Sequence, residues 1–284
     1  MIVNAGARSG EQALQLLPRF EQAGIEVIVA EPERPQAVSQ FILARAAEID
    51  MAIVCGGDGT MNAAAEGILR TGLPLGIVPL GTANDLARTL AIPSVDAAAQ
   101  AIVDGHMRAI DIGEVNHKPF FNVASIGLSA DLARDLSSEI KKRWGRFGYA
   151  IAAARVLAAG GTFNAEIVSE SGTVRVETLQ VSVGNGRFYG GGNLVRDDAR
   201  IDDGRLDLYS LEHPHIWRLL FLLGSFRKGT HGMWDEVRVE KGTEFEVRTR
   251  RPRPVNADGE LVTTTPARFT VRPAAIRVFV PRPA

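Results

Sequence analysis

Met51-Ala52-Ile53-Val54-Cys55-Gly56-Gly57-Asp58-Gly59-Thr60 is an apolar run that breaks abruptly into glycine. A continuous apolar stretch of this length suits a strand buried on both faces of a parallel sheet. Ala63–Leu69, just beyond the turn, has helical character. Glycines in a strand–turn–helix let the backbone approach a ligand closely. Consecutive N–H groups at the helix start favour an anionic phosphate. Thr60 caps that helix or offers its hydroxyl to a phosphate oxygen. Two adjacent glycines alone would suit an empty βα turn; this longer composition in this context favours phosphate.

Outward from this turn, the apolar strand Leu75–Val78 leads into Pro79-Leu80-Gly81-Thr82-Ala83-Asn84-Asp85-Leu86-Ala87. In a parallel sheet both turns emerge at the carboxyl edge, where open α/β sheets bind ligands. Asn84 or Asp85 caps a helix starting at Leu86. Neither a Walker A loop nor a G-x-G-x-x-G fingerprint occurs. Upstream, Met1–Val3 is a short apolar start, Gly10–Gln22 and Val38–Glu48 have helical spacing, and the β-branched run Ile25–Ala30 predicts a strand; downstream, Val95–Val103 predicts a helix.

Beyond about residue 115 the rhythm changes to short alternating segments separated by Gly, Asn or Pro, the pattern of an antiparallel sandwich or barrel. Arg146–Ala159 and His215–Arg227 interrupt it with helical spacing. The expected fold class is therefore α/β plus all-β: a three-layer α/β domain over 1–117 and an antiparallel β-sandwich over 118–284. Whether the last strands return to the first domain is left open by the pattern.

Composition narrows the function. A chain of 284 residues with 45% apolar content has room for two cores and is not disordered. Its 32 basic and 33 acidic residues, net −1, argue against whole-protein capture of nucleic acid. One cysteine, Cys55, excludes an internal disulfide and a Cys-rich zinc site, and its place at the end of an apolar strand suits a buried small side chain. His213 and His215 are a weak zinc signal. The opening lacks a secretion signal and Ile216–Phe226 is too short to span a bilayer, so a cytoplasmic protein is expected. Lys141–Phe147 mixes basic and aromatic residues, as a contact with anionic headgroups would or a charged helix end would.

Gly56–Thr60, Pro79–Ala87 and Val255-Asn256-Ala257-Asp258-Gly259-Glu260 together resemble the diacylglycerol kinase catalytic-domain family, with the soluble bacterial diacylglycerol kinase-like lipid kinases most similar. Val183–Gly192 and Ile201–Asp207 also look like that family. The first motif is shared with NAD kinases; the other two make the lipid kinase resemblance more specific. It implies ATP and Mg2+ as cofactors, a lipid alcohol as acceptor, peripheral membrane contact and an active site in the interdomain cleft. No nucleic acid is expected as a partner, and a homo-oligomer is left open.

Residue by residue, the resemblance implies that Gly56, Gly57, Asp58, Gly59, Thr60, Met61 and Asn62 wrap the ATP phosphates, with Gly81 and Thr82 contacting nucleotide from the second turn. Asn4 would line the nucleotide pocket, in a loop where Ala5 stands for the family's usual proline and Arg8 where glycine is common. Glu260 or Asp258 would be the general base, with Asp258 also a link to magnesium; Asp58, Asp85 and Asp111 would form an acidic magnesium–water network. Asp203, with the carbonyls of Arg200 and Arg205, would hold a structural magnesium. Read from its residues alone, Asp258-Gly259-Glu260 is an ordinary hairpin turn with exposed acids. The alternatives are an NAD kinase-like enzyme, or a nucleotide- or lipid-binding module without turnover.

Overall fold

The computed structural model describes residues 1–3, 10–32, 34–127, 130, 162–189, 193–194, 199–212 and 237–282. Asn4 and its loop, the basic cluster 141–147, the helical stretches 146–159 and 215–227, His213 and His215 lie outside the described residues.

The first element, β1 (Ile2–Val3), is short, and the expected helix over 10–22 forms as two pieces, α1 (Gly10–Leu14) and α2 (Leu17–Gln22). Pro18 explains the split: it occupies the first turn of α2, where its missing N–H costs nothing, and could not continue α1. The β-branched run 25–30 does not become a strand. With only two residues in β1, pairing is confined to an isolated bridge between Ile2 and Ala30, and Ile28 and Val29 stay exposed. Helix α3 (Gln36–Arg45) follows, then β2 (Ala52–Gly56), α4 (Asp58–Thr71), β3 (Leu75–Pro79), α5 (Asp85–Thr89) and α6 (Val95–Asp104). Strands β1, β2 and β3 are parallel neighbours, with Ile2 beside Val54 and Val54 beside Ile77. Their side chains and those of Phe20, Ile42, Ile68 and Ile102 form the first core. The apolar runs are continuous because helices cover the sheet.

The second lobe is built from β4 (Met107–Val115), β5 (Lys118–Phe120), β6 (Val123–Gly127), β7 (Phe163–Ser169), β8 (Gly172–Gly184), β9 (Phe188–Tyr189), β10 (Asn193–Leu194), β11 (Leu206–Glu212), β12 (Val237–Gly242), β13 (Glu244–Thr249), β14 (Pro254–Ala257), β15 (Glu260–Thr264) and β16 (Ala267–Phe279). These pair antiparallel around Phe120, Ile126, Val183, Leu208, Phe245 and Phe269, the second core. Mixed sheet, flanking helices and an antiparallel sandwich match the fold class read from the sequence.

Strands β4 and β16 both run through the two cores. The first half of β16 pairs with β13 and β4, then a bulge between Arg272 and Ile276 turns its second half onto β4 and, through Val278 and Leu75, parallel to β3. Ile276, Val278 and Phe279 are thus buried in the first core although they follow the whole sandwich in sequence.

Candidate active site

The first glycine turn is an integral part of a helix start. Gly56 ends β2, Gly57 is the extended N-cap, and Asp58, Gly59 and Thr60 form the first turn of α4. The Thr60 and Met61 amides are bonded to the Gly57 carbonyl at 2.9 and 3.1 Å. A β-carbon on Gly56 would lie 2.5 Å from Thr60 Oγ1, so the threonine side chain itself demands that glycine. A β-carbon on Gly59 would meet nothing within 4 Å, which leaves open space above that amide. Met61 is 2% exposed: its side chain belongs to the core, and the surface of the turn falls to its neighbours.

The second turn lies directly against the first. A β-carbon on Gly81 would sit 2.5 Å from Gly57 Cα and 2.8 Å from Asn84 Oδ1. Asn84, in left-handed conformation at φ 51°, does not cap α5 with its side chain. Its carboxamide instead accepts the Gly81 amide and donates to the Gly81 carbonyl, both at 2.8 Å, and closes the loop. The cap comes from 28 positions earlier: Asp58 Oδ1 accepts the Leu86 amide at 3.1 Å. Asp85 is buried at the start of α5, while Gly81 and Thr82 are exposed.

From the sandwich, the β14–β15 hairpin brings the third motif. Asp258 and Gly259 have φ 47° and 95°, so the acidic triplet is a hairpin turn as its composition predicts, and Asn256 Oδ1 accepts the Gly259 amide at 3.0 Å. The acids are nevertheless dissimilar. Asp258 turns its carboxylate inward, where Oδ2 accepts the Phe121 amide at 2.7 Å and Oδ1 accepts those of Asn122 and Val123 at 3.0 and 3.1 Å. Part of the residue reaches the surface, but the carboxylate is enclosed. Burial pushes its pKa up to about 6 against the three amide bonds that lower it, and the nearby charge of Asp58 adds to the rise. Asp58 of the first turn and Asp258 of the hairpin are thus close enough for their charges to interact. Glu260, next along the hairpin, is exposed.

Around this pair lies a buried polar scaffold. Asn185 donates from Nδ2 to the carbonyls of Phe121 and Asp111 at 2.9 and 3.2 Å, and its backbone amide donates to the Asn122 carbonyl at 2.8 Å. Gly186 abuts Asn122 so closely that a β-carbon would lie 2.9 Å from Asn122 Oδ1. The sequence marks Asn185 only as an amide between Gly184 and Gly186 in a glycine-rich stretch, and its burial appears in the structure alone. Asp111 is also committed: Oδ2 accepts the Gly204 amide at 2.7 Å and Oδ1 accepts the Ala274 amide at 2.8 Å. It fastens the 201–204 loop and the β16 bulge. Asp203 likewise has partners on both oxygens, the Arg205 amide at 3.1 Å and Lys241 Nζ at 2.7 Å. Among the described residues no three His, Cys, Asp or Glu side chains group as a metal site would.

Cys55 is buried behind the first turn, and burial pushes its thiol up to about 12, which leaves it inert. A groove of about 460 Å³ on the sandwich is lined by Glu166, Arg175 and Arg248, but both arginines pair with Glu166 and none of the motif residues lines it. Among the described residues no helix is long and apolar enough to cross a membrane.

The diacylglycerol kinase catalytic domain model matches residues 1–115, and the YegS C-terminal NAD kinase beta sandwich-like domain model matches residues 122–280. The probable lipid kinase YegS-like of Pseudomonas aeruginosa is 38% identical over 232 residues, covering 80% of this chain and 75% of that protein. The diacylglycerol kinase of Bacillus subtilis is 30% identical over 273 residues, covering 94% of this chain and 90% of that protein. A crystal structure assigned as a diacylglycerol kinase from Bacillus anthracis superposes with TM-score 0.85 at 26% identity, covering 98% of this chain and 93% of that one.

Proposed function

Since the chain belongs to the family of diacylglycerol kinases and YegS-like lipid kinases, and is a phosphotransferase by that membership, we propose that it moves the γ-phosphoryl group of ATP to the hydroxyl of a membrane lipid in the cleft between its lobes. The observation that carries this reading is the packing of the two glycine turns into one surface, Gly57 against Gly81, with Asp58 of that surface close enough to Asp258 for their charges to interact.

The amides at the start of α4 and the Gly81–Thr82 turn hold the phosphate chain, and the close Gly57–Gly81 contact fixes the two turns as one surface. Asp58 is spoken for on one oxygen by Leu86, and its charge is felt by Asp258. These hard oxygen donors fit magnesium. Magnesium bound with the nucleotide supplies neutralisation of phosphate charge. Asp258 pins the hairpin to Phe121, Asn122 and Val123 and so fixes where Glu260 stands. Glu260, exposed at the hairpin, takes the proton of the lipid hydroxyl as its oxygen bonds to phosphorus and the bond to the β-phosphate bridging oxygen breaks. ADP and a lipid phosphate monoester are the products. Work on such an acceptor brings the protein to a membrane surface from outside the bilayer.

The test is incubation with γ-labelled ATP, magnesium and mixed micelles carrying diacylglycerol, phosphatidylglycerol, a sphingoid base or a polyprenol, with NAD in a parallel tube. Label in one of the lipids supports the reading. Label in NAD would make the protein an NAD kinase, and ATP bound without transfer to any acceptor would make it a binding module.

A further inference from the structure

The turn between Ala199 and Leu206 carries two adjacent acids, Asp202 and Asp203, and it is tied to Asp111: Gly204 donates to Asp111 Oδ2 at 2.7 Å, and Asp111 donates its own amide to the Ile201 carbonyl at 2.7 Å. Two neighbouring carboxylates in a partly buried turn require a counter-cation. The chain supplies several. Asp202 is gripped by Arg108 at 2.6 Å and by Arg200 at 3.2 Å. Burial works against its charge, yet these arginine bonds hold its pKa below the usual carboxylate range. Asp203 receives the ammonium of Lys241 at 2.7 Å, with Asp203 and Lys241 only 21% and 26% exposed.

Lys241 is well placed for this. It lies on β12 directly across from Asp207 of β11, the strand that the turn feeds into. The lysine stem therefore runs from a fixed ladder position to the turn. A divalent cation on Asp203 would compete with the ammonium of Lys241 for the carboxylate, in a turn whose other acid, Asp202, is already paired with Arg108 and Arg200. The donor set expected for a structural magnesium thus does not fit the residues present.

We infer that Lys241 is the built-in cation of this turn, a positioning residue that stands where a metal ion would otherwise be needed and keeps the Asp203 turn, and through it Asp111, in place without magnesium. Like charge at close range excludes a second cation, and the hydrogen bond from Nζ meets the oxygen that a metal would have taken. The inference is independent of the kinase reading, because its test uses no nucleotide and no lipid.

The experiment is thermal unfolding of the whole chain, free of nucleotide, in EDTA and in 10 mM magnesium chloride. The wild-type Tm is expected to agree within about 1 °C between the two conditions, whereas a filled metal site would raise it by about 5 °C or more. Lys241→Met, which keeps the apolar stem and loses the charge, is expected to lower Tm by about 3 °C, and Lys241→Arg to recover most of that. Asp203→Asn in the Lys241→Met background should cause less loss than in the wild type, since the two share one contact. A wild-type Tm that falls in EDTA and returns with magnesium overturns the inference, and so does a Lys241→Met variant as stable as the wild type.

Discussion

Asp58 Oδ1 accepts the Leu86 amide at 3.1 Å, so the turn that opens α4 also caps α5. The two glycine turns are thereby coupled by this bond, by the backbone contact of Gly57 with Gly81 and by the Leu80 amide, which donates to the Gly56 carbonyl at 3.0 Å. Replacing Asp58 with alanine is expected to destabilise the protein by about 1 kcal/mol, the typical value of a lost cap. It also removes a negative charge near Asp258. The Asp258 pKa should then fall below about 6, while burial keeps it above its ordinary 3.8. Chemical denaturation checks the first outcome and a carbon-detected NMR titration of the Asp258 carboxyl checks the second.

Asp258 also sets a pH dependence of folding. Its pKa is higher in the folded chain than in the unfolded one, so folding favours its protonated form. That stabilisation is present in full below about pH 3.8 and is lost as pH rises through about 6. A rise from 3.8 to about 6 corresponds to about 3 kcal/mol. Asp258→Asn removes the titration and places an amide group among three backbone donors. The variant should be less stable at every pH, and its stability should decline less between pH 4 and 7 than that of the wild type, as urea unfolding at the two pH values would measure.

Gly59 and Gly81 separate room for the chain from room for a ligand. Gly81→Ala has no space, with Gly57 Cα at 2.5 Å, and is expected to push the turns apart and lower both Tm and ATP affinity. Gly59→Ala meets nothing within 4 Å beyond its chain neighbours and its own helix backbone and removes a glycine from a helix, so it should stabilise the chain by roughly 0.5–1 kcal/mol. If the space over Gly59 belongs to phosphate, the same variant loses ATP binding. Calorimetric titration and thermal unfolding of both proteins check the contrast; a Gly59→Ala variant that binds ATP as the wild type does would move the phosphates elsewhere.

Glu260→Gln touches an exposed side chain, so Tm should stay within error of the wild type. Phosphoryl transfer is expected to fall by about 10²-fold or more, with ATP affinity unchanged, as for loss of a general base. Steady-state kinetics at saturating ATP measure this.

The alternation of strands and helices, the change to antiparallel pairing and the two glycine turns were readable because burial imposes period and glycine marks close approach. The acidic triplet was readable only in part: its composition announces a hairpin, and the hairpin exists, but nothing local says that Asp258 turns inward onto the amides of residues 121–123. Contacts that span the chain had no local signature. Asp58 caps a helix 28 positions on, Asn185 bridges Asp111 and Phe121, and the end of β16 enters the first core after the whole sandwich has been laid down. The run at 25–30 failed as a strand for the complementary reason, since β propensity needs a partner and β1 offers two residues. Asp111 and Asp203 drew attention as acids, and the structure gives their oxygens to amides and a lysine.

The central claim is that two lobes make one reaction site, phosphate on the glycine turns and alcohol at the acidic hairpin. A crystal structure with magnesium and a non-hydrolysable ATP analogue tests it most directly. The account predicts the triphosphate against the amides of the Gly57–Gly59 and Gly81–Thr82 turns, with its terminal phosphate in the cleft beside Asp58 and facing Glu260. A triphosphate bound away from those turns, or a terminal phosphate directed away from the Asp258–Glu260 hairpin, would contradict it.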